Sequence, residues 1–161
     1  MGEEATRAQF ASAAENAALI HYAGHADSNT NESFGALLLA PSGEDSGVTS
    51  SADIARFAFA RHPVVVLAAC GTFRGDPAHV TGMSSIARAF LGAGARAVAG
   101  TLWEIDDDVA AEFFRRFHER LRSGAHPARA LRETQLDMLK DSKERLRQPA
   151  TWAPIELLSH I

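Results

Sequence analysis

Residues 64–70 read VVVLAAC, a continuous run of β-branched and other apolar side chains. Such a run is typical of a strand that is covered on both faces, as in parallel sheets. Two further buried strands are predicted for ALIHYAG (18–24) and ARAVAGTLW (95–103), and helical spacing predicts helices over 4–17, 84–94, 106–124 and 126–140. Strands that alternate with helices predict an α/β sandwich with a mostly parallel sheet flanked by helices.

The segments between these elements carry their own signals. PSGEDS (41–46) separates two short apolar runs and predicts a β-hairpin over 35–50. Residues 51–62 predict a helix with Ser51 as its N-cap, and Pro63 ends it. Residues 143–148 predict a solvated, charged stretch. TWAPIELL (151–158) predicts a last strand, which Pro154 places at the edge of a sheet.

Composition excludes several classes of protein. The 161 residues suffice for one domain with a core, and the formal net charge of −4 argues against a surface for nucleic acid or for anionic membrane. No apolar run approaches the roughly 18 residues of a membrane helix. The first residues, MGEEATRAQF, are too polar for a signal peptide. A single cysteine allows no internal disulfide, and we expect a cytoplasmic protein.

Metal and nucleotide sites find little support in the sequence. Seven histidines and one cysteine include neither H-E-x-x-H nor C-x-x-C, so we expect no structural zinc. The glycine-rich stretch GAGARAVAG (92–100) closes a helix and precedes a strand, the reverse of the phosphate-binding order. We therefore expect no cofactor.

A histidine follows one predicted strand, and the cysteine ends another. His25 comes directly after ALIHYAG, and Cys70 ends VVVLAAC. Because ligands of parallel sheets sit at the carboxyl ends of the strands, both side chains can reach the same rim. An imidazole beside a thiol can accept its proton and later protonate a leaving amine. Each residue taken alone is more often structural, as a packed cysteine or a core histidine.

Several short motifs follow one another along nearly the whole chain. They are GEEAT (2–6), IHYAGHA (20–26), GALLLA (35–40), LAACGT (67–72), residues 84–108, ARALRETQ (128–135) and WAPIELL (152–158). Their order and spacing resemble the CHAT domain, a caspase-like cysteine peptidase domain. The resemblance implies a caspase-like α/β fold and hydrolysis of peptide bonds through a thioester, with Cys70 as nucleophile and His25 as general acid and base. By the same resemblance, His21 is a packed or hydrogen-bonded histidine.

The chain departs from the family pattern near both of these residues. Ala68 and Gly71 stand where many relatives carry serine and glutamate, and Ala26 replaces the glycine that often follows the histidine. The backbone N–H of Ala26 remains available, so the N–H groups near Ala26 and Cys70 are the predicted oxyanion donors.

The resemblance also points to a pocket for the substrate residue before the cut. By analogy, Trp103 would wall that pocket, and Glu104 or Asp106 would pair with a basic substrate side chain. Asp27, beside His25, is a second acidic candidate. The plainer interpretations are that Asp106 only caps a helix and that Asp27 only shapes a turn.

The resemblance has a consequence for domain organisation. In this fold, strands precede the histidine strand in sequence, and none is predicted here before residue 18. We therefore expect residues 1–161 to be the C-terminal part of a larger CHAT domain, completed by the N-terminal half of the same domain or by another chain. Besides a peptidase acting on a peptide or protein substrate, the sequence allows a catalytically inactive CHAT-fold interaction or scaffold module. A small-molecule hydrolase is disfavoured because no G-x-S-x-G is present.

Overall fold

The computed structural model describes residues 4–27, 35–69 and 86–160. The helices in these ranges are α1 (Arg7–Glu15), α2 (Ser51–Ile54), α3 (Ile86–Gly92), α4 (Asp107–Arg122), α5 (Pro127–Leu139), α6 (Glu144–Arg147) and α7 (Pro149–Trp152). The strands are β1 (Leu19–Ala23), β2 (Ala26–Asp27), β3 (Ala36–Leu38), β4 (Val48–Ser50), β5 (Val64–Ala68), β6 (Ala97–Thr101) and β7 (Ile155–Ser159).

Within the described ranges, the main sheet has four strands in the order β1-β5-β6-β7. β1, β5 and β6 run parallel to one another, and β7 runs antiparallel to β6. This order confirms the predicted α/β class with a mostly parallel sheet, and it confirms the edge position of the last strand. The register pairs Ala23 with Ala68, so β1 and β5 end level with each other.

Helices cover both faces of this sheet, because successive side chains of a strand point in opposite directions. Val65 and Leu67 of β5 belong to one core, which β1, β6 and the helices α1, α2 and α3 complete. Val66, between them, belongs to a second core on the other face, built with β7 and the helices α4, α5 and α6. Phe113 of α4 is fully buried in that second core.

A smaller antiparallel sheet, in the order β2-β3-β4, contains the predicted hairpin. Arg7 of α1 holds this hairpin. Its Nη2 donates to the carboxylate of Asp45 and to the backbone carbonyl of Val48, both at 2.8 Å. The first helix is therefore tied by a charged side chain to the sheet that follows β1.

The helix predicted over 51–62 is much shorter in the structure. Its N-cap is Ser50 rather than Ser51, with a reciprocal capping box in which Asp53 bonds to Ser50. After this single turn, Phe57 and Phe59 both pack against the first core, with their ring centroids 6.3 Å apart. Residues two apart cannot share one face of a helix, so burying both rings ends α2 early.

The segment 143–152 also differs from its prediction. The charged stretch predicted to be solvated contains α6, whose Leu146 is 6% exposed in the second core. Thr151 and Trp152, predicted to begin the last strand, belong to α7. A single apolar residue among charges anchors α6, a signal too sparse to produce a helical pattern in the sequence.

Candidate active site

β1 and β5 end at the same edge of the main sheet, and His25 follows β1 there. Its side chain is exposed and lies two residues beyond Ala23, which is paired with Ala68. Ala69 continues from β5 and is buried. Cys70, the predicted nucleophile, lies outside the described residues. The structure therefore brings His25 and Ala69, the residue before Cys70, to one edge of the sheet.

A buried tyrosine fixes the backbone at His25. The hydroxyl of Tyr22 lies 2.7 Å from the carbonyl oxygen of His25 and 2.9 Å from that of Leu38, and it donates to both. The backbone N–H of Leu38 donates to the same His25 oxygen at 3.0 Å. Burial raises the pKa of Tyr22 to about 12, so the hydroxyl remains a donor near neutral pH.

A buried threonine has the equivalent place at the exit of β5. Thr101, at the end of β6, is 3% exposed, and its Oγ1 donates to the backbone carbonyl of Ala69 at 2.9 Å. The β5–β6 pairing itself reaches only Val66 and Ala99. A side chain thus extends the hydrogen bonding between these two strands beyond the point where the backbone ladder stops.

The two residues after His25 form the short strand β2. Ala26 pairs with Leu37 of β3, and β2 lies at the edge of the smaller sheet. Since His25 and Leu38 form a hydrogen-bonded pair, the next pair along an antiparallel ladder is not hydrogen-bonded. The N–H of Ala26 consequently points away from β3. Asp27 lies in β2, and its side chain is outside the part that the structure describes.

A cleft of about 570 Å³ opens between the end of β1 and helix α4. Its lining includes His25 and Ala68 on the sheet side, and Asp107, Ala110 and Phe114 on the helix side. The side chains at Ala110 and Ala68 are small, so the cleft stays open beside His25.

A pair of histidines, His21 and His118, lines the same cleft as His25. Nδ1 of His21 and Nε2 of His118 are 2.6 Å apart, and His21 also packs edge-on against Phe114. Burial lowers the pKa of both imidazoles. The charge of His118 lowers that of His21 further, and Arg122 lowers that of His118. Both effects favour the neutral form of the pair, in which one ring donates its N–H to the other ring. The prediction of a hydrogen-bonded His21 is confirmed.

One comparison with known protein families covers nearly the whole chain. The family model of the CHAT domain matches residues 1–159. The chain belongs to the CHAT-domain family. This family is caspase-like and often peptidase-related, and the matched range includes both His25 and Cys70. No curated protein matches the chain in sequence.

The loop after β6 carries the predicted specificity residues of this CHAT domain. Trp103 is 42% exposed, and its Nε1 donates to the carbonyl of Ala150 at 3.3 Å. Asp106 is the N-cap of α4 and accepts a hydrogen bond from Arg145 at 2.7 Å. Glu104 is exposed. These three side chains do not line the cleft beside His25, where the adjacent Asp107 does.

The CHAT domain holds no cluster suited to a metal ion in residues 4–27, 35–69 and 86–160. The His21–His118 pair does not supply one either, because Nδ1 of His118 is buried without a hydrogen-bond partner among the described residues. A histidine that ligates a metal usually donates from its second ring nitrogen. Within the same ranges, no helix is long and apolar enough to cross a membrane.

Sequence reasoning missed three polar residues of this region. His118 lies four residues after the buried Phe114, a spacing that places both on one helix face. Thr101 ends a strand that is otherwise apolar, and Tyr22 alternates with the buried Ile20. A polar side chain at a buried strand position needs a hydrogen-bond partner. The sequence shows that need but does not show which group is the partner.

Proposed function

We propose that this CHAT domain is a cysteine endopeptidase with Cys70 as nucleophile and His25 as general acid and base. The observation that supports the proposal is the register of β1 and β5. Ala23 and Ala68 are paired in parallel, and His25 and Cys70 each follow their strand by two residues. Equal offsets from a paired position in parallel strands favour side chains that emerge at one edge of the sheet.

In the acylation step, the imidazole of His25 accepts the proton of the Cys70 thiol. The sulfur then attacks the carbonyl carbon of the scissile peptide bond, and the carbonyl oxygen takes the negative charge. The N–H groups of Ala26 and Cys70 donate to that oxyanion. When the C–N bond breaks, protonated His25 gives its proton to the leaving amine, and a thioester remains on Cys70.

In the deacylation step, neutral His25 takes a proton from water, and the resulting hydroxide attacks the thioester carbonyl. The C–S bond breaks, the carboxylic acid product leaves, and the proton on His25 returns to the sulfur of Cys70. No cofactor is needed. His25 fits both roles because its ring is exposed to the cleft while its backbone is held by Tyr22 and Leu38.

The substrate is a peptide or protein segment lying extended in the cleft beside β1. We propose a basic residue before the cut, recognised by Glu104 or Asp27, with Trp103 packing against its aliphatic part. Asp106 belongs to the same proposed subsite, but its carboxylate already has Arg145 as a cationic partner. A substrate side chain would have to share or displace that contact.

The first test is covalent labelling of Cys70 by peptide acyloxymethyl ketones that carry Arg, Lys, Asp or Leu before the warhead. We expect rapid labelling by a basic probe, its loss in Cys70→Ala and a large reduction in His25→Ala. The matched control is His126→Ala, because His126 is also exposed and caps α5 without a side-chain hydrogen bond. Equal labelling of the wild type and His25→Ala would contradict the proposed dyad.

One observation favours the second candidate, an interaction or scaffold module. β1 lies at the edge of the main sheet and exposes 41% of Leu19. An open edge strand invites a strand from another chain or from the N-terminal half of the same domain. Size-exclusion chromatography with light scattering tests this alternative. A folded monomer that labels rapidly would refute the inactive module, whereas an oligomer without labelling would favour it.

A further inference from the structure

The His21–His118 pair takes no part in the acylation and deacylation steps, although it lines the same cleft as His25. His21 belongs to β1 and His118 to α4. Nδ1 of His21 and Nε2 of His118 are 2.6 Å apart, so one of these nitrogens donates and the other accepts. The direction of this hydrogen bond decides which nitrogen of each neutral ring carries the proton.

The second ring nitrogen of His118 indicates that His118 is the donor. Its Nδ1 is buried and has no hydrogen-bond partner among the described residues. If His21 donated, the proton of His118 would lie on that Nδ1 as a buried N–H without an acceptor. Buried N–H groups without acceptors are rarer in proteins than acceptors without donors. The bond therefore runs from Nε2–H of His118 to Nδ1 of His21.

This direction leaves His21 with its proton on Nε2. Nδ1 accepts from His118, so Nε2 is the protonated nitrogen of the neutral ring. His21 is exposed in the cleft, and its Nε2 makes no hydrogen bond within the described part of the chain. Phe114 packs edge-on against the same ring, with the two ring centroids 5.8 Å apart. His21 thus presents an oriented donor on the wall of the cleft.

The position of this donor suits an extended peptide. His21 precedes His25 by four residues, which span at most about 13 Å of strand. A substrate that lies extended along β1 therefore places residues up to about four positions from the cut beside His21. Each of those residues carries a main-chain carbonyl, which accepts a hydrogen bond whatever the side chain is.

We propose that His21 donates from Nε2 to a main-chain carbonyl of the substrate, and that His118 is the positioning residue that fixes this tautomer. The inference rests on the proposed peptidase function and deepens it, because it assigns how the cleft holds the substrate away from the scissile bond. Such a contact is made equally in the bound substrate and in the transition state. Its loss therefore raises KM and leaves kcat nearly unchanged.

Two substitutions of His21 separate substrate binding from packing between β1 and α4. Asparagine carries its amide near the position of Nδ1, so His21→Asn keeps the bond from His118 but has no donor at the position of Nε2. Glutamine carries its amide near the position of Nε2, so His21→Gln keeps the donor and loses the bond from His118. If His21 only packs, the Gln variant is the more damaged of the two. If His21 binds substrate, the Asn variant is.

The kinetic test uses octapeptides with Arg, Lys, Asp or Leu at the fourth position, before the cut. For the octapeptide cleaved fastest, we expect KM to rise about 3- to 10-fold in His21→Asn, the effect of one lost hydrogen bond. In His21→Gln, KM should stay within twofold of the wild type. A substrate with one residue on each side of the cut does not reach His21, and its KM should be equal in all three proteins. Measurements at pH 8 lie above the lowered pKa of both rings.

Nuclear magnetic resonance tests the tautomer itself. Long-range ¹H–¹⁵N correlation spectra of protein labelled with ¹⁵N-histidine distinguish a protonated ring nitrogen from a bare one. We expect Nε2–H on both His21 and His118 in the wild type. In His118→Phe, His21 should become a mixture of the two tautomers, and KM for the octapeptide should rise less than in His21→Asn.

Three results would overturn the inference: Nδ1–H on His21 in the wild type, an octapeptide KM within twofold of the wild type in His21→Asn, or an equal rise of KM for short and long substrates. Binding of the fluorescent octapeptides to Cys70→Ala separates this inference from the proposed function. A wild type that cleaves nothing, with octapeptide binding that weakens in Cys70→Ala, His21→Asn, refutes the peptidase alone. Cleavage with an unaffected His21→Asn refutes the inference alone, and neither cleavage nor binding refutes both.

Discussion

The stability of the protein should depend on pH through the His21–His118 pair. Burial lowers the pKa of each ring below the usual 6.5, and the neighbouring charges of His118 and Arg122 act in the same direction. The unfolded chain therefore binds more protons than the folded one below that value. The contribution of this pair to the free energy of unfolding should be fully present above about pH 6.5. It should be lost as the pH falls below that value.

The size of this effect has an upper bound. If a histidine stays neutral in the folded protein and titrates in the unfolded chain, the free energy of unfolding falls by at most about 1.4 kcal/mol between about pH 7.5 and 5.5. Two such histidines lower it by at most about 2.7 kcal/mol. Both rings line an open cleft and are partly exposed to solvent. Screening reduces the bound, and we expect a combined loss of about 1 kcal/mol.

Urea denaturation followed by tryptophan fluorescence measures this loss. The comparison is between the wild type and the double variant His21→Asn, His118→Gln, whose amides can hydrogen-bond but do not titrate in this range. His126→Gln, at an exposed position, controls for the removal of a histidine. If the wild type and the double variant lose stability in parallel on acidification, the reasoning about the pair is wrong.

Three other changes have expected outcomes. Arg7→Ala should lower the unfolding free energy by about 1.5–3 kcal/mol, because it removes charge-assisted hydrogen bonds to the hairpin. Arg7→Lys should not restore this stability, since one ammonium cannot reproduce the guanidinium geometry. Full recovery of stability in thermal melts of Arg7→Lys would contradict this. Phe113→Ala should cost about 3–5 kcal/mol by leaving a cavity in the second core, and a loss under about 1 kcal/mol in urea titrations would argue against tight packing there. Arg145→Ala should lower the unfolding free energy by under about 1 kcal/mol, since its ion pair with Asp106 is exposed. The same change should raise kcat/KM for substrates with a basic residue before the cut. An unchanged ratio of kcat/KM between basic and neutral substrates would exclude Asp106 from recognition.

The parts of the fold with long, regular patterns were predictable from sequence. β5 and β6 are continuous apolar runs, and α4 repeats its apolar residues at helical spacing, so local pattern and tertiary burial agree there. The prediction of a helix over 51–62 was wrong because Phe57 and Phe59, two residues apart, both pack against the first core. The prediction missed α6 because Leu146 is its single buried residue, and one apolar position gives no helical pattern.

The candidate site was predictable only in outline. The edge at which His25 and Ala69 meet follows from strand direction, which the alternation of helices and strands indicates. The hydrogen bonds from the hydroxyls of Tyr22 and Thr101 depend on which backbone carbonyls lie close to them in the folded sheets. That information exists only once residues far apart in sequence, such as Thr101 and Ala69, are brought together. The roles of Cys70 and of the specificity residues remain predictions.

The order of strands in the main sheet also constrains how the chain acquires its structure. Leu19 pairs with Val64, and Ala97 pairs with Ser159, so neighbouring strands at both edges are separated by long stretches of chain. Contacts between distant residues must close large loops before they contribute, which slows folding. During synthesis, β1, β5 and β6 can associate before β7 exists, and one edge of β6 then stays open until residues 155–159 emerge. A nascent chain stalled before residue 155 would expose that edge, and a chaperone or a neighbouring chain could bind it first.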